Sequence, residues 1–259
     1  DVCTNGIGYV DLMFKTDSIA PEQIPYLGLL KSVLGYVDTE NYTYGELFNE
    51  INANTGGINC GVEVFDRADS TEEFQAMFSV RGKALYTKMD FLFKMIGEIL
   101  NSSKLEDTKR LYEIVASVKS RAQVNLTGAG HSTAVLRAAA YSSPMAAFQD
   151  EMAGIGYYQF IEKLEKDFEQ RKEETVEELC KLMKKILRPE NFMISYTGER
   201  ESLETVQKLA GAVKAGLGTE PVEKSEEKLT CTKKNEGFKT SGQVQYVAQT
   251  GNFKKKGLE

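Results

Sequence analysis

Apolar positions follow a helical period in residues 21 to 37 and a period of two from residue 58. Pro21 suits a first helical position, because its missing N–H would have no partner there anyway. Thr43 and Glu46 form a capping box that starts a second, shorter helix, which a glycine pair ends. The pattern predicts a buried helix, a polar turn, a second helix and a strand. The apolar positions of the first helix are Tyr26, Leu27, Leu29, Leu30, Val33, Leu34 and Val37.

Three more stretches show the alternation that is typical of strands. Residues 6 to 15 predict a first strand, residues 57 to 80 predict an antiparallel pair around a polar break, and residues 192 to 196 predict a last strand. Their inward positions are Val10, Leu12 and Phe14, then Ile58, Cys60, Val62 and Val64, then Phe74, Ala76, Phe78 and Val80, and finally Phe192, Ile194 and Tyr196.

Helical periods dominate from residue 83 onward. One apolar stripe begins at Leu85 and another at Leu111, and the polar turn between them predicts a helical hairpin. A glycine break then leads into a helix of small residues that closes before Pro144.

The helical part continues to residue 213, and the strand predicted at residues 192 to 196 interrupts it once. Residues 145 to 187 predict one or two long helices with a corner at Ile155 and Gly156, and residues 203 to 213 predict one more. The sequence therefore predicts an α+β fold, a mostly antiparallel sheet covered on one side by helices, with a large helical portion.

Composition divides the chain into three predicted parts. Residues 1–217 form an α+β domain, and residues 218–240 form a charged linker that is nearly free of large apolar side chains. Residues 241–259 have strand character at their start but are too short for a domain, so they predict the truncated start of a further one. The chain reads as a piece of a longer protein.

Charge and cysteine usage exclude several classes of protein. Lys plus Arg number 32 against 38 for Asp plus Glu, and this acidic balance argues against a nucleic-acid partner. No run approaches the roughly 18 apolar residues of a membrane span, so no membrane partner is predicted. The four scattered cysteines predict reduced thiols and a cytoplasmic compartment.

Local chemistry predicts no catalytic residue and no metal ligand. A catalytic zinc needs about three protein ligands, usually including two histidines, and His131 is the single histidine in the sequence. Its position at the start of a small-residue helix favours a packed or capping role. Asp38 and Glu40 are expected to serve a turn, and Tyr157, Tyr158 and Phe160 to form core, while the charge run before residue 180 is expected to be a solvated helix face.

Two segments carry a family resemblance. The strand and helix are followed by DTENYTYGELFNEI and a glycine pair, and later by GAGHSTAVLRAAAYSSPMAAFQDEMAGIGYYQFIEKLE. In order and spacing they resemble the insulinase or pitrilysin family of zinc metallopeptidases, in its presequence protease (falcilysin-like) branch. The resemblance runs through essentially the whole chain. It implies a parent of four homologous domains that enclose a peptide-degrading chamber.

The resemblance also implies where zinc would bind in the catalytic domain of that family. There, an inverted motif of His, two residues, Glu and His lies on the helix after the first strand. Matching SVLGYV to the end of that helix places the motif on a run of five residues that contains neither histidine nor glutamate. These degenerate zinc-motif positions are Leu27, Gly28, Leu29, Leu30 and Lys31.

The expected function follows from this loss of ligands. The chain is predicted to be the non-catalytic third domain of a zinc endopeptidase, with no cofactor of its own and with zinc in the parent's first domain. Its expected partners are the other domains of the parent and unfolded peptides. Arginine and tyrosine residues that the last domain of the family contributes would lie beyond residue 259. Two alternatives remain open at this stage, a catalytically dead scaffold and a helical protein-interaction module.

Overall fold

The computed structural model describes residues 3–70, 72–225, 227, 229–240, 243–252 and 257. Its strands are β1 (Ile7–Lys15), β2 (Ile58–Asp66), β3 (Phe74–Leu85) and β4 (Phe192–Thr197). The α-helices of this described part are α1 (Ile24–Val33), α2 (Tyr44–Asn54), α3 (Met89–Ser102), α4 (Thr108–Gly128), α5 (Gly130–Ala140), α6 (Pro144–Ala153), α7 (Ile155–Lys166), α8 (Phe168–Ile186) and α9 (Leu203–Ala215).

The four strands form one antiparallel sheet in the order β2-β3-β1-β4. Leu12 in β1 lies opposite Val80 in β3 and Ile194 in β4, and Val80 lies opposite Cys60 in β2. Because side chains alternate between the faces of a sheet, these residues all point to the same side. Leu12 and Val80 are fully buried there, so this face is the core side of the sheet.

The helices pack on the core side. α3 contacts β3, α1 contacts β2, and α9 contacts β4. The approach of α3 is close at Gly82, where a Cβ atom would lie 2.7 Å from Leu92. Helices α4, α6, α7 and α8 form a further layer around α1. One antiparallel sheet with helices on one side confirms the predicted α+β fold class.

The opening segment differs from its prediction at one point. The predicted helix over residues 21 to 37 is a short 3-10 turn followed by α1, which ends at Val33. Leu34 is extended and Gly35 has a φ of +84°, a conformation that glycine adopts without strain. Leu34 and Val37 are nevertheless buried, because the chain folds back over the core after the helix ends.

The capping box before α2 is confirmed. The Thr43 side chain accepts a hydrogen bond from the Glu46 backbone N–H, and the Glu46 carboxylate accepts one from the Thr43 N–H at 2.9 Å. After α2, Gly57 takes a φ of +102° and leads into β2, as the glycine pair predicts.

The predicted helical hairpin is not formed. α3 packs mainly against β3 and α9, whereas α4 packs mainly against α7 and α1. The connection between them is tied instead to the loop before α2 by a bridge between Thr39 and Ser103 and by a hydrogen bond from the Lys104 N–H to the Asp38 carbonyl at 2.8 Å. Leu85, predicted to begin the first stripe, is the exposed last residue of β3.

Two further predictions need correction. Residues 145 to 187 form three helices instead of one or two, because the chain breaks at Gly154 and again at Asp167. The first break is the predicted corner, displaced by one residue. The described residues 218–225, 227, 229–240 and 243–252 lie outside helices and strands, so the strand character expected after residue 241 is not realised there. Residues 241, 242, 253–256, 258 and 259 lie outside the described part, and the predicted three-part division of the chain stays a prediction.

Candidate functional site

The five degenerate zinc-motif positions all lie in α1, the most enclosed helix of the fold. Leu27, Leu29 and Leu30 are at most 1% exposed, and Gly28 is also buried. They face β2 and the surrounding helices α4, α6, α7 and α8. The apolar run at these positions is therefore used for packing.

Gly28 shows how closely the neighbouring helices approach α1. A Cβ atom at this position would lie 2.6 Å from the carbonyl oxygen of Met152 in α6 and 2.7 Å from the ring of Tyr157 in α7. Contacts this short require the neighbours to move. The helix has no room at position 28 for a side chain as large as a metal ligand.

Lys31 ends the run of five. Burial lowers the pKa of its ammonium group. A lysine is not among the side chains that usually ligate zinc, which are cysteine, histidine and carboxylates. Within the described residues, no group of three or more His, Cys, Asp or Glu side chains is arranged to hold a metal ion.

The second feature of interest is the side of the sheet that faces away from the helices, which we call the open sheet face. It is formed by the outward positions of all four strands, and several of its large side chains are exposed. Tyr9, Phe65 and Met193 are 42%, 46% and 45% exposed. The outward positions are Tyr9, Asp11 and Met13, then Asn59, Gly61, Glu63 and Phe65, then Gln75, Met77, Ser79, Arg81 and Lys83, and finally Met193, Ser195 and Thr197.

Arg81 lies at the centre of this face and joins three strands. Its Nε donates to Asp11 Oδ2 in β1 at 2.8 Å, and its guanidinium also reaches Glu63 in β2. Arg81 can reach Glu63 because the residues between them on this face, Gly61 and Ser79, carry no side chain or a short one. The arginine is 57% exposed, so the pairs add little to stability. The two ion pairs do hold the positive charge of Arg81 between the negative charges of Asp11 and Glu63 on this face.

Beside Arg81 lies a shallow groove of about 480 Å³. It crosses the ends of all four strands and offers backbone, hydroxyl, amide and charged groups together. The residues lining it include Tyr9, Asp11, Asn59, Arg81, Lys83, Ser195 and Thr197. Such a surface can contact an extended peptide through many weak polar contacts and has no enclosed apolar pocket for one particular side chain.

The remaining candidate residues have structural surroundings. His131 is exposed in the first turn of α5 and makes no side-chain cap, so the packed or capping role predicted for it is wrong. Its ring lies 6.3 Å from that of Tyr246. Asp38 serves the turn as predicted, because its Oδ1 accepts from the Tyr44 N–H at the start of α2. Glu40 contributes its backbone N–H, which donates to Ser102.

The aromatic and charged runs match their predictions except at Tyr158, which is half-buried and donates its hydroxyl to Glu162 at 2.9 Å, so its predicted place in the core is wrong. Tyr157 is buried, and burial raises the pKa of its hydroxyl, while Phe160 packs edge-on against Tyr26 at 4.8 Å. In α8, Lys181 pairs with Glu177 at 2.8 Å along the exposed surface. The contacts of Tyr157, Phe160 and Lys181 are packing and ion-pair contacts within the fold.

Sequence reasoning missed the open sheet face as a unit. Its signal was present in the charged side chains at outward positions of predicted strands, such as Asp11 and Glu63. Only the strand order shows that these side chains meet at Arg81, because β1 and β2 are separated by β3. Pairing across strands is a long-range property that the local period does not contain.

The fold and the site define an α+β domain in which the helix after the first strand is buried, with no cluster of metal-binding side chains among the residues that the structure describes. The chain belongs to the family of domains associated with peptidases of family M16, subgroup C, and the model of that family matches residues 1–164.

Two relatives align along the whole chain. Protein HypA of Clostridium perfringens is 35% identical over 259 residues, which are 100% of this chain and 26% of that protein. Presequence protease 1, chloroplastic/mitochondrial, of Arabidopsis thaliana is 26% identical over 263 residues, which cover 100% of this chain and 24% of that protein. The chain thus spans about a quarter of the length of these curated relatives. The matches agree with a non-catalytic domain of a presequence-protease-like protein and confirm the resemblance found in the sequence.

A third relative covers a shorter part. The mitochondrial presequence protease of Yarrowia lipolytica is 29% identical over 168 residues, which are 65% of this chain. In the described part of the chain, no helix combines the length and apolarity needed to cross a membrane. The names of these relatives include mitochondrial and chloroplast forms, so the cytoplasmic compartment stays a prediction.

Proposed function

We propose that this chain is the third domain of a zinc-dependent endopeptidase, where its open sheet face forms part of the wall of a closed peptide-degrading chamber. The observation that carries the proposal is that one face of the sheet is packed with helices while the other presents Tyr9, Met193 and the Arg81 ion pairs to the outside. Membership of a peptidase-associated family supplies the context.

The chemistry of the open sheet face suits a wall for peptides of varied sequence. Exposed aromatic and methionine side chains contact apolar groups and adapt to different shapes. Ser195 and Thr197 supply hydroxyl groups, and Arg81 with Asp11 and Glu63 supplies both charges. A surface of this kind holds unfolded chains weakly, so it confines a peptide without trapping it.

Catalysis then occurs elsewhere in the parent. With leucines at the motif positions, α1 contributes rigidity where the catalytic relative would bind zinc, and the metal would belong to the parent's first domain. Residues 1–217 would move as one body, the charged segment 218–240 would link it to the next domain, and residues 241–259 would begin that domain. The mechanistic role is indirect, as part of the half that closes over the peptide.

Photo-crosslinking in the full-length protein tests the wall. A photoreactive amino acid replaces Tyr9 or Met193 on the open sheet face, and an unstructured peptide is added with a zinc chelator so that it is not degraded. We expect both positions to crosslink to the peptide.

The matched control is Phe48, which is 58% exposed on α2 in the helical layer. It is at least as accessible to solvent but lies on a helix and is not part of the open sheet face. Crosslinking at Phe48 as strong as at Tyr9 and Met193 would show that the open sheet face has no special relation to the peptide.

The scaffold alternative predicts the same fold for this chain, and it differs from the proposal in whether the parent protein binds zinc. If the longer protein lacks the inverted zinc motif in its first domain, the chain serves in a catalytically dead scaffold. The interaction-module alternative placed its docking site on the small-residue helix, which is α5. Its surface is contacted by a later segment of the same chain, through Arg137 and Gly130, so that alternative has less support.

A further inference from the structure

Helix α5 lies at the periphery of the fold. Among its residues only Ala140 is buried, and its neighbours in the described part are α6 and α4. Two described segments, residues 229–240 and 243–252, reach this helix or the turn after it at several points; we call them the strap. The strap contains no helix or strand, so side-chain contacts hold it in place.

The main anchor of the strap is Arg137 of α5. Its Nε and Nη2 donate to the two carboxylate oxygens of Glu236 at 2.8 and 3.1 Å, a bidentate arrangement. The hydroxyl of Tyr141, one turn further along the chain, donates to the same carboxylate at 2.5 Å. Bidentate pairs between arginine and carboxylate are among the stronger polar contacts in proteins. The guanidinium also lies 5.7 Å from the ring of Phe238 in the strap.

Arg137 is itself held from the protein side. Its Nη1 donates to Asp150 Oδ2 at 2.6 Å, and Asp150 is only 1% exposed. That carboxylate also accepts the backbone N–H groups of Ile155 and Gly156 at the start of α7. Asp150 is thus fixed at the corner between α6 and α7. Its bond to Nη1 leaves Nε and Nη2 of the guanidinium directed at the strap.

Two more contacts continue along α5. Gly130 is covered by the ring of Tyr246, since a Cβ atom there would lie 2.4 Å from that ring. Thr250, Gly251 and Asn252 line a cavity of about 270 Å³ together with the turn after α5. The strap therefore touches α5 at its beginning, its last turns and its exit, and Arg137 supplies the charged contact.

We propose that the strap is a detachable latch on α5, anchored by the pairing of Glu236 with Arg137. In the attached state it covers the small-residue surface of α5. In the detached state it uncovers that surface and lengthens the free charged segment that begins near residue 218. This device goes beyond the proposed peptidase role, and the contacts that define it all lie within the described residues.

Limited trypsin digestion of the full-length protein tests the latch. Lys233, Lys234 and Lys239 are exposed residues of the strap, whereas Lys224 lies outside it and serves as an internal reference. The variant Glu236→Gln removes the charge of the anchor without altering any helix. We expect cleavage at the three strap lysines to rise about tenfold relative to cleavage at Lys224, since a hydrogen bond to a charged group is lost.

A matched control and a second variant decide the outcome. Glu173→Gln makes the same change at an exposed glutamate of α8 that is distant in sequence from the strap lysines and from Lys224, and it should leave the cleavage ratio unchanged. Arg137→Gln should raise the ratio as Glu236→Gln does, and the double variant should raise it no further, because both remove one contact. If Arg137→Gln loses helicity, Glu236→Gln decides alone.

An unchanged cleavage ratio in the variant Glu236→Gln would overturn the proposal.

Discussion

Gly28 has a backbone role that its place in a degenerate motif does not suggest. It lies where α1 passes the carbonyl of Met152 and the ring of Tyr157, and both would be within 2.7 Å of an added Cβ atom. The carbonyl belongs to the backbone of α6 and cannot turn aside as a flexible side chain would. Helix packing at this distance depends on glycine, so the residue is structural.

Replacement of Gly28 by alanine is expected to destabilise the chain. The added methyl group overpacks the contact between α1 and α6, which costs about 1–3 kcal/mol. Urea unfolding followed by far-UV circular dichroism measures the change as a lower midpoint at constant slope.

Gly45 supplies the matched control for that measurement. It also lies in a helix, α2, but no atom comes within 4 Å of a Cβ built there. Gly45→Ala should raise the free energy of unfolding by up to about 1 kcal/mol, because alanine is the better helix former. Equal effects of the two substitutions would show that α1 and α6 are not in close contact in solution.

At the scale of elements, the Glu236 carboxyl group makes the attachment of the strap to α5 depend on pH. The hydrogen bond from Arg137 lowers the pKa of its carboxyl group from 4.5 to about 2, an effect that burial partly opposes. Tyr141 and Lys234 are its other polar neighbours, and Asp150 accepts from the opposite side of the Arg137 guanidinium. The carboxylate form of Glu236 is stabilised in the attached state, where its pKa is about 2, relative to the detached state, where its pKa is 4.5. Ionised Glu236 therefore favours attachment fully above about pH 4.5, and this contribution is lost as the pH falls from 4.5 toward 2.

A single tryptophan can report this transition, because the chain contains none. In the variant Phe238→Trp, we expect the emission maximum to shift to the red between pH 4.5 and 2, while circular dichroism monitors helicity separately. Adding Glu236→Gln should give the shifted emission already at pH 7. Identical emission at pH 7 with and without Glu236→Gln would mean that this carboxylate does not hold the strap.

Elements with a strong local signal could be predicted from the sequence. The alternation around Leu12 and the capping box at Thr43 and Glu46 define β1 and α2 without help from the rest of the fold. The end of α1 could not be predicted, because Leu34 and Val37 stay buried after the helix stops and so continue the apolar pattern. Likewise, the apolar stripes of α3 and α4 indicate two buried helix faces but not that each faces a different partner.

The candidate site likewise has some features that local sequence predicts and others that depend on long-range contacts. The absence of histidine and glutamate from the run between Leu27 and Lys31 follows from the residue types alone, whereas the match of this run to the zinc motif stays a prediction. The meeting of Asp11, Arg81 and Glu63 depends on strand order, and the contact of Arg137 with Glu236 joins residues 99 positions apart. Contacts at such separations leave no periodic trace along the chain.

On the scale of the whole molecule, the chain has one packed side and one open side. The helices enclose α1 and leave the open sheet face with exposed aromatic, hydroxyl and charged groups. Its length is about a quarter of that of its relatives from Clostridium perfringens and Arabidopsis thaliana. In the proposed parent, the packed side maintains the shape of the domain and the open side faces the peptide.

The central claim is that this chain takes part in peptide degradation without performing the chemistry. Its most direct test measures, on the purified 259-residue chain, the zinc bound per molecule and the cleavage of unstructured peptides. Circular dichroism establishes beforehand that the chain is folded, and a known zinc peptidase serves as the positive control. We expect no stoichiometric zinc after dialysis and no cleavage. One tightly bound zinc per chain, together with cleavage that a chelator abolishes, would contradict the account.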